Sequence, residues 1–168
     1  MDCKVTPQSI SLNQSEARRA AENMNQYLAN LQVLFIKLHN LHWNVVGNSF
    51  FEIHEKTQML YENTGEMIDL VAERIKMIGF YPIGSLQEAL NAATIQEIPS
   101  EDYNGPTVAT VIVQDFQQMI EELREMESAT AGYDGGVISD GLSFFEKTIG
   151  CSALISLTFN FFYTCTTC

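Results

Sequence analysis

A chain of 168 residues that is 46% hydrophobic and 18% charged has the size and apolar content of a single globular domain. At this length about 70% of the unfolded surface can be buried, so no staple of disulfides is required. The 21 acidic against 9 basic side chains leave a net charge of −12, which argues against a general nucleic-acid binder and fits a soluble protein or one that attracts cations. No window reaches about 18 apolar residues, so no membrane span is expected. The opening MDCKVTPQSI has no apolar core of the signal-peptide kind. Cys3, Cys151, Cys165 and Cys168 therefore read as reduced thiols in a cytoplasm. Cys165 and Cys168 have CxxC spacing on the last residues, read as a frayed tail, with metal or redox chemistry as the alternative.

Residues 11–46 keep a helical beat, with Ala17, Ala20, Met24, Leu28, Leu31, Phe35, Leu38 and Leu41 at intervals of three and four. Ser11 and Gln14 are placed to form a capping box, and Gly47 to stop the helix. A second helix is predicted from Phe50 to Ile78, its apolar face made by Leu60, Thr64, Met67, Val71, Ile75 and Ile78. The stretch from Gly79 to Gly105 is too long for a tight turn and holds a short helix opened by Ser85 and Glu88, ending near Ala93. Pro106 opens a third long run, where Val108, Ile112, Phe116, Met119, Leu123 and Met126 repeat until Gly132. A fourth starts near Val137 and carries Leu142, Phe145 and Ile149. No strand pattern is convincing. The joints 46–49 and 132–136 are short and force antiparallel neighbours, while the long middle connection lets helices two and three run parallel. Two antiparallel hairpins joined by one crossover predict an all-α, ferritin-like four-helix bundle whose crossover carries a short extra helix.

Chemistry concentrates at one place. His39, His42 and His54 fall within 16 residues, and clustering favours metal ligation over three separate structural roles. Helix two also carries an acidic stripe. At 100° per residue from His54, Glu62 lies at about 80°, Glu66 at about 120°, Asp69 at about 60° and Glu73 at about 100°, with Gln58 nearby. Such a stripe is either a solvated face or a set of hard oxygen ligands; with imidazole, the latter suits iron, manganese or zinc. Asp69 and Glu73 lie roughly 22 and 28 Å along the helix from His54, so they cannot share a metal with it inside one chain. They can if two chains meet antiparallel across a two-fold axis near residues 62–63, which creates two equivalent sites. A site inside one bundle would need Glu-x-x-His pairs, and no histidine here has a Glu three residues before it.

KLHNLHWNVVG (Lys37 to Gly47), FFEIHE (Phe50 to Glu55) and Asp69-Leu-Val-Ala-Glu73-Arg74 together resemble the Dps family, the DNA-binding proteins from starved cells. The spacing from His42 to His54, Asp69 and Glu73 is the family pattern, and the similarity runs from about Leu28 through Ile149. The resemblance implies a cytoplasmic, hollow homo-dodecamer that oxidises Fe(II), preferably with hydrogen peroxide, and stores the ferric product. It implies His42 and His54 of one chain, with Asp69 and Glu73 of its partner, as iron ligands. Trp43 is similar to the family's tryptophan that traps stray oxidising equivalents; core packing is the alternative. Asp134 and Asp140 become candidates for acidic pores, or else complement the dipole of the last helix.

Three departures follow. Where the family has an Asp one turn after the second histidine, this chain has Gln58, a weaker ligand for a hard cation, and Glu62 is expected to lie too far along the axis to compensate. The Lys-rich tail of DNA-binding members is missing, so binding to DNA is expected to be weak. After Ile149 the chain diverges, reading GCSALISLTFNFFYTCTTC. The chain is thus expected to be one ferritin-like domain over 1–168, with a tail at 1–10 and a divergent segment at 150–168. A DNA-compacting stress scaffold with minor iron chemistry is the main alternative, and a metal-free assembly unit a third.

Overall fold

The computed structural model describes residues 5–130 and 132–156. It is all-α in architecture, with five α-helices among those residues: α1 (Gln14–Asn44), α2 (Phe50–Met77), α3 (Leu86–Ala92), α4 (Gly105–Thr130) and α5 (Val137–Ser156). Cys3, Cys165 and Cys168 lie outside the described residues, as does the Cys151 side chain, so neither the CxxC pair nor the divergent ending is placed.

The four long helices bury the stripes that their spacing predicts. Met24, Leu28, Leu31, Leu38 and Leu41 of α1 meet Leu60, Val71 and Ile75 of α2, and Val108, Phe116, Met119 and Leu123 of α4 complete the core with Phe145 of α5. α1 pairs mainly with α2, and α4 with α5, giving the two expected hairpins. α2 ends in a Schellman motif: the Phe80 N–H donates to the Ile75 carbonyl at 3.1 Å and the Gly79 N–H to that of Lys76 at 3.0 Å. Gly79 has φ of 91°, and a Cβ there would also stand 2.9 Å from Pro7 Cδ, so two constraints require glycine.

The start of α1 differs from expectation. Ser11 is not its cap: it closes a 3₁₀ turn over Pro7–Ile10 in a left-handed conformation, φ 61°. Asn13 caps α1 instead, its Oδ1 accepting from the N–H groups of Ser15 (2.9 Å) and Glu16 (3.2 Å). At the other end α1 stops at Asn44, three residues before Gly47, because Val45–Val46 is drawn into a strand. This β1 pairs in parallel with β2 (Tyr103–Asn104), Val45 opposite Tyr103 and Val46 opposite Asn104. The pair is a minimal sheet that alternation could not reveal, since two residues carry no period.

The crossover is strapped to α1 by amides. Asn25 donates to the Tyr81 carbonyl and accepts from the Ile83 N–H; Gln32 donates to the Ile83 carbonyl; Asn40 donates to those of Ile98 and Pro99. Asn30, fully buried, accepts from the Thr94 N–H at 2.7 Å and donates to Thr94 Oγ1 and to Glu122 of α4. A buried amide with donors and acceptor all used fixes a loop without leaving a dry polar group.

Candidate metal centre

The five residues between α1 and α2 bring the end of one helix against the start of the next, and this turn makes the site. The rings of His42 and His54 stack with centroids 3.6 Å apart and 20° between planes. His42 Nδ1 lies 2.9 Å from the His54 carbonyl, and His54 Nδ1 lies 3.0 Å from the His42 carbonyl. A carbonyl only accepts, so both Nδ1 atoms carry their protons and both Nε2 lone pairs are free for a cation. His42 is 6% exposed, and burial, aided by the neighbouring His54 and His39 rings, lowers its pKa against the opposing hydrogen bond to His54. The neutral form is the one that can ligate.

Thr57 was not visible as a site residue. Its buried Oγ1 donates to the Ile53 carbonyl at 2.8 Å and accepts from His42 Nδ1 at 3.1 Å. The signal available in the sequence is a hydroxyl on the apolar stripe of α2, one turn after His54. His39 does not join the imidazole pair; it stacks on Tyr61 at 3.9 Å, and its Nδ1 donates to the Phe35 carbonyl at 2.8 Å.

α2 is one unbroken helix, so Asp69 and Glu73 stand roughly 22 and 28 Å along its axis from His54, exposed on its outer face. Within one chain no three His, Cys, Asp or Glu side chains gather to hold a metal among the described residues. Gln58 is exposed, one turn from His54, and its Nε2 donates to Glu62 Oε1 at 2.8 Å. The two side chains are thus joined one turn apart along the face of α2.

Trp43 is 67% exposed, which removes core packing within the chain as its role; its nearest ring is His39 at 5.2 Å. Ile36, Phe51, Met59, Leu70 and Met77 are exposed too, most of them interleaved with the acidic residues of α2. Asp134 is buried, with Oδ2 accepting from the Ile138 N–H at the start of α5, whereas Asp140 in the first turn is exposed. No described helix is long and apolar enough to cross a membrane.

The two hairpins of long helices and the crossover that joins them define a ferritin-like protein. Accordingly, the family model described as Ferritin-like domain matches residues 21–134. The chain is 32% identical over 133 residues to the DNA protection during starvation protein of Helicobacter pylori, covering 76% of this chain and 92% of that protein. Its identity to the protein of the same name from Brevibacillus brevis is 37% over 123 residues, 73% of this chain and 82% of the relative. The crystal structure of the Vibrio cholerae Dps protein, described as a member of the ferritin-like diiron-carboxylate superfamily, superposes with a TM-score of 0.79 at 26% identity. That match covers 84% of this chain and 91% of the other. The chain belongs to the Dps family of ferritin-like proteins.

Proposed function

We propose that this protein is a ferroxidase and iron store, a closed shell of twelve chains with metal centres between two-fold-related subunits. The observation that carries the reading is the polarity of α2: the imidazole of His54 at its start, paired with that of His42 from the end of α1, and two exposed carboxylates, Asp69 and Glu73, near its end. An antiparallel partner brings each end to the other's opposite. The exposed apolar residues along the same face supply area for that contact. The number twelve rests on the family resemblance.

In this reading Fe(II) is the substrate. His42 and His54 hold it through nitrogen, while the partner's Asp69 and Glu73 supply the negative charge that favours Fe(III). Two Fe(II) give one electron each to hydrogen peroxide, whose O–O bond breaks; two protons are taken up and two waters leave. Drawing both electrons from one site avoids releasing a one-electron hydroxyl radical. Trp43, exposed next to the ligand His42, takes up stray oxidising equivalents. Of the two candidate pore residues, Asp140 is free to meet ions, since the Asp134 carboxylate is committed to the α5 backbone.

The test is light scattering together with anaerobic Fe(II) loading, peroxide addition and ferric absorbance. The expected particle is far larger than the 18.9 kDa chain. His42→Ala and Glu73→Ala should each cut oxidation strongly with assembly and far-UV circular dichroism unchanged. A fully active stable monomer, or full activity in Glu73→Ala, would overturn the proposal.

A further inference from the structure

We propose that Glu62 is a positioning residue of this centre: it holds the Gln58 amide so that Oε1 faces the cation, and lends it charge. The inference rests on His42 and His54 being the metal-binding pair. Gln58 follows His54 by one turn on the same helix, so its side chain and the imidazole share a face. A neutral amide is a poor ligand in two respects. Its nitrogen has no usable lone pair, and nothing intrinsic decides which end turns to the metal.

The Gln58–Glu62 contact removes both weaknesses. With Nε2 donating to Glu62 Oε1 at 2.8 Å, the oxygen is the end left for a cation. A cation on Oε1 polarises the amide and strengthens its N–H donation to the carboxylate, so the two contacts reinforce each other. Glu62 is available for this because it pairs with no cation: the ion pairs among the described residues are Lys37–Asp115 and Arg124–Glu146. Gln58 and Glu62 therefore act together where a single carboxylate would serve alone. Loss of an outer partner that orients a ligand lowers metal affinity by about 10- to 100-fold; for this exposed pair the lower end applies.

The experiment is titration calorimetry of the assembled full-length protein with Co(II), a divalent probe that peroxide-free buffer does not oxidise. Glu62→Ala should weaken binding about tenfold, while Glu127→Ala, an exposed carboxylate on α4 away from the stripe, should change it less than about twofold. In a Gln58→Asp background, Glu62→Ala should cost nothing or strengthen binding, because like charges four residues apart on a helix repel. Equal effects of Glu62→Ala and Glu127→Ala would show general electrostatics and overturn the proposal. So would a Glu62→Ala affinity equal to wild type when His54→Ala abolishes binding. Binding that survives His54→Ala would instead bring down the histidine-pair assignment, and this proposal with it. Far-UV circular dichroism and particle size check that each variant folds and assembles.

Discussion

Replacing Thr57 by Val removes one hydroxyl behind the imidazole pair and leaves nearly everything else in place. The side chain is 1% exposed, and valine fills almost the same volume. What disappears is the second acceptor for His42 Nδ1, at 3.1 Å; the His54 carbonyl at 2.9 Å remains. A net neutral hydrogen bond contributes about 0.5–1.5 kcal/mol, which at 1.4 kcal/mol per tenfold is a loss of roughly two- to tenfold in metal affinity. Stability should move little, because the Ile53 carbonyl that loses the hydroxyl keeps its place in the helix ladder. Co(II) calorimetry and thermal unfolding on the same samples therefore separate ligand orientation from folding. Thr57→Ser should restore affinity while losing the packing of one methyl group. Wild-type affinity in Thr57→Val, or Thr57→Ser binding as weakly as Thr57→Val, would refute the idea that this hydroxyl orients His42.

Gly141→Ala should destabilise the fold by about 2 kcal/mol, the cost of overpacking less the gain in helix propensity, because its Cβ would collide with the hydroxyl of the fully buried Tyr27. Adding Tyr27→Phe removes that oxygen and should recover part of the loss in urea unfolding; no recovery would place the strain elsewhere. Lys37→Met strands the Asp115 carboxylate, whose Oδ1 and Oδ2 each lie 2.8 Å from Lys37 Nζ, and should cost about 3–5 kcal/mol at neutral pH. Burial already raises the Asp115 pKa against the opposing pull of Lys37. A group with a raised folded pKa carries no penalty while protonated in both states, so the variant should approach wild type in acid and diverge as pH rises. A gap in thermal stability that does not change with pH would contradict this. Gel shifts on supercoiled plasmid should show no retardation at moderate salt, as the net charge of −12 requires.

The sequence by itself determined the helices and their pairing, because stripes at 3.6-residue spacing and short or long joints are local properties of the chain. The separation of His54 from Asp69 and Glu73 was equally legible, since one helix with a fixed rise sets it whatever packs against it. Other features depend on which remote segments meet. The cap of α1 moved from Ser11 to Asn13 because a preceding turn, packed on Gly79, claims Ser11. The strand at Val45–Val46 exists only because residues 103–104 return beside it. Asn30 looks like any polar helix residue until Thr94 and Glu122 arrive from far along the chain to use its amide. At the site, spacing alone leaves three histidines eligible, and it is the family resemblance that names His42 and His54. The reciprocal bonds from each ring to the other's carbonyl set those two apart from His39 and put the proton on each Nδ1. Spacing along a chain fixes directions on a helix; the proton on a ring nitrogen is decided by the acceptor that folding sets beside it.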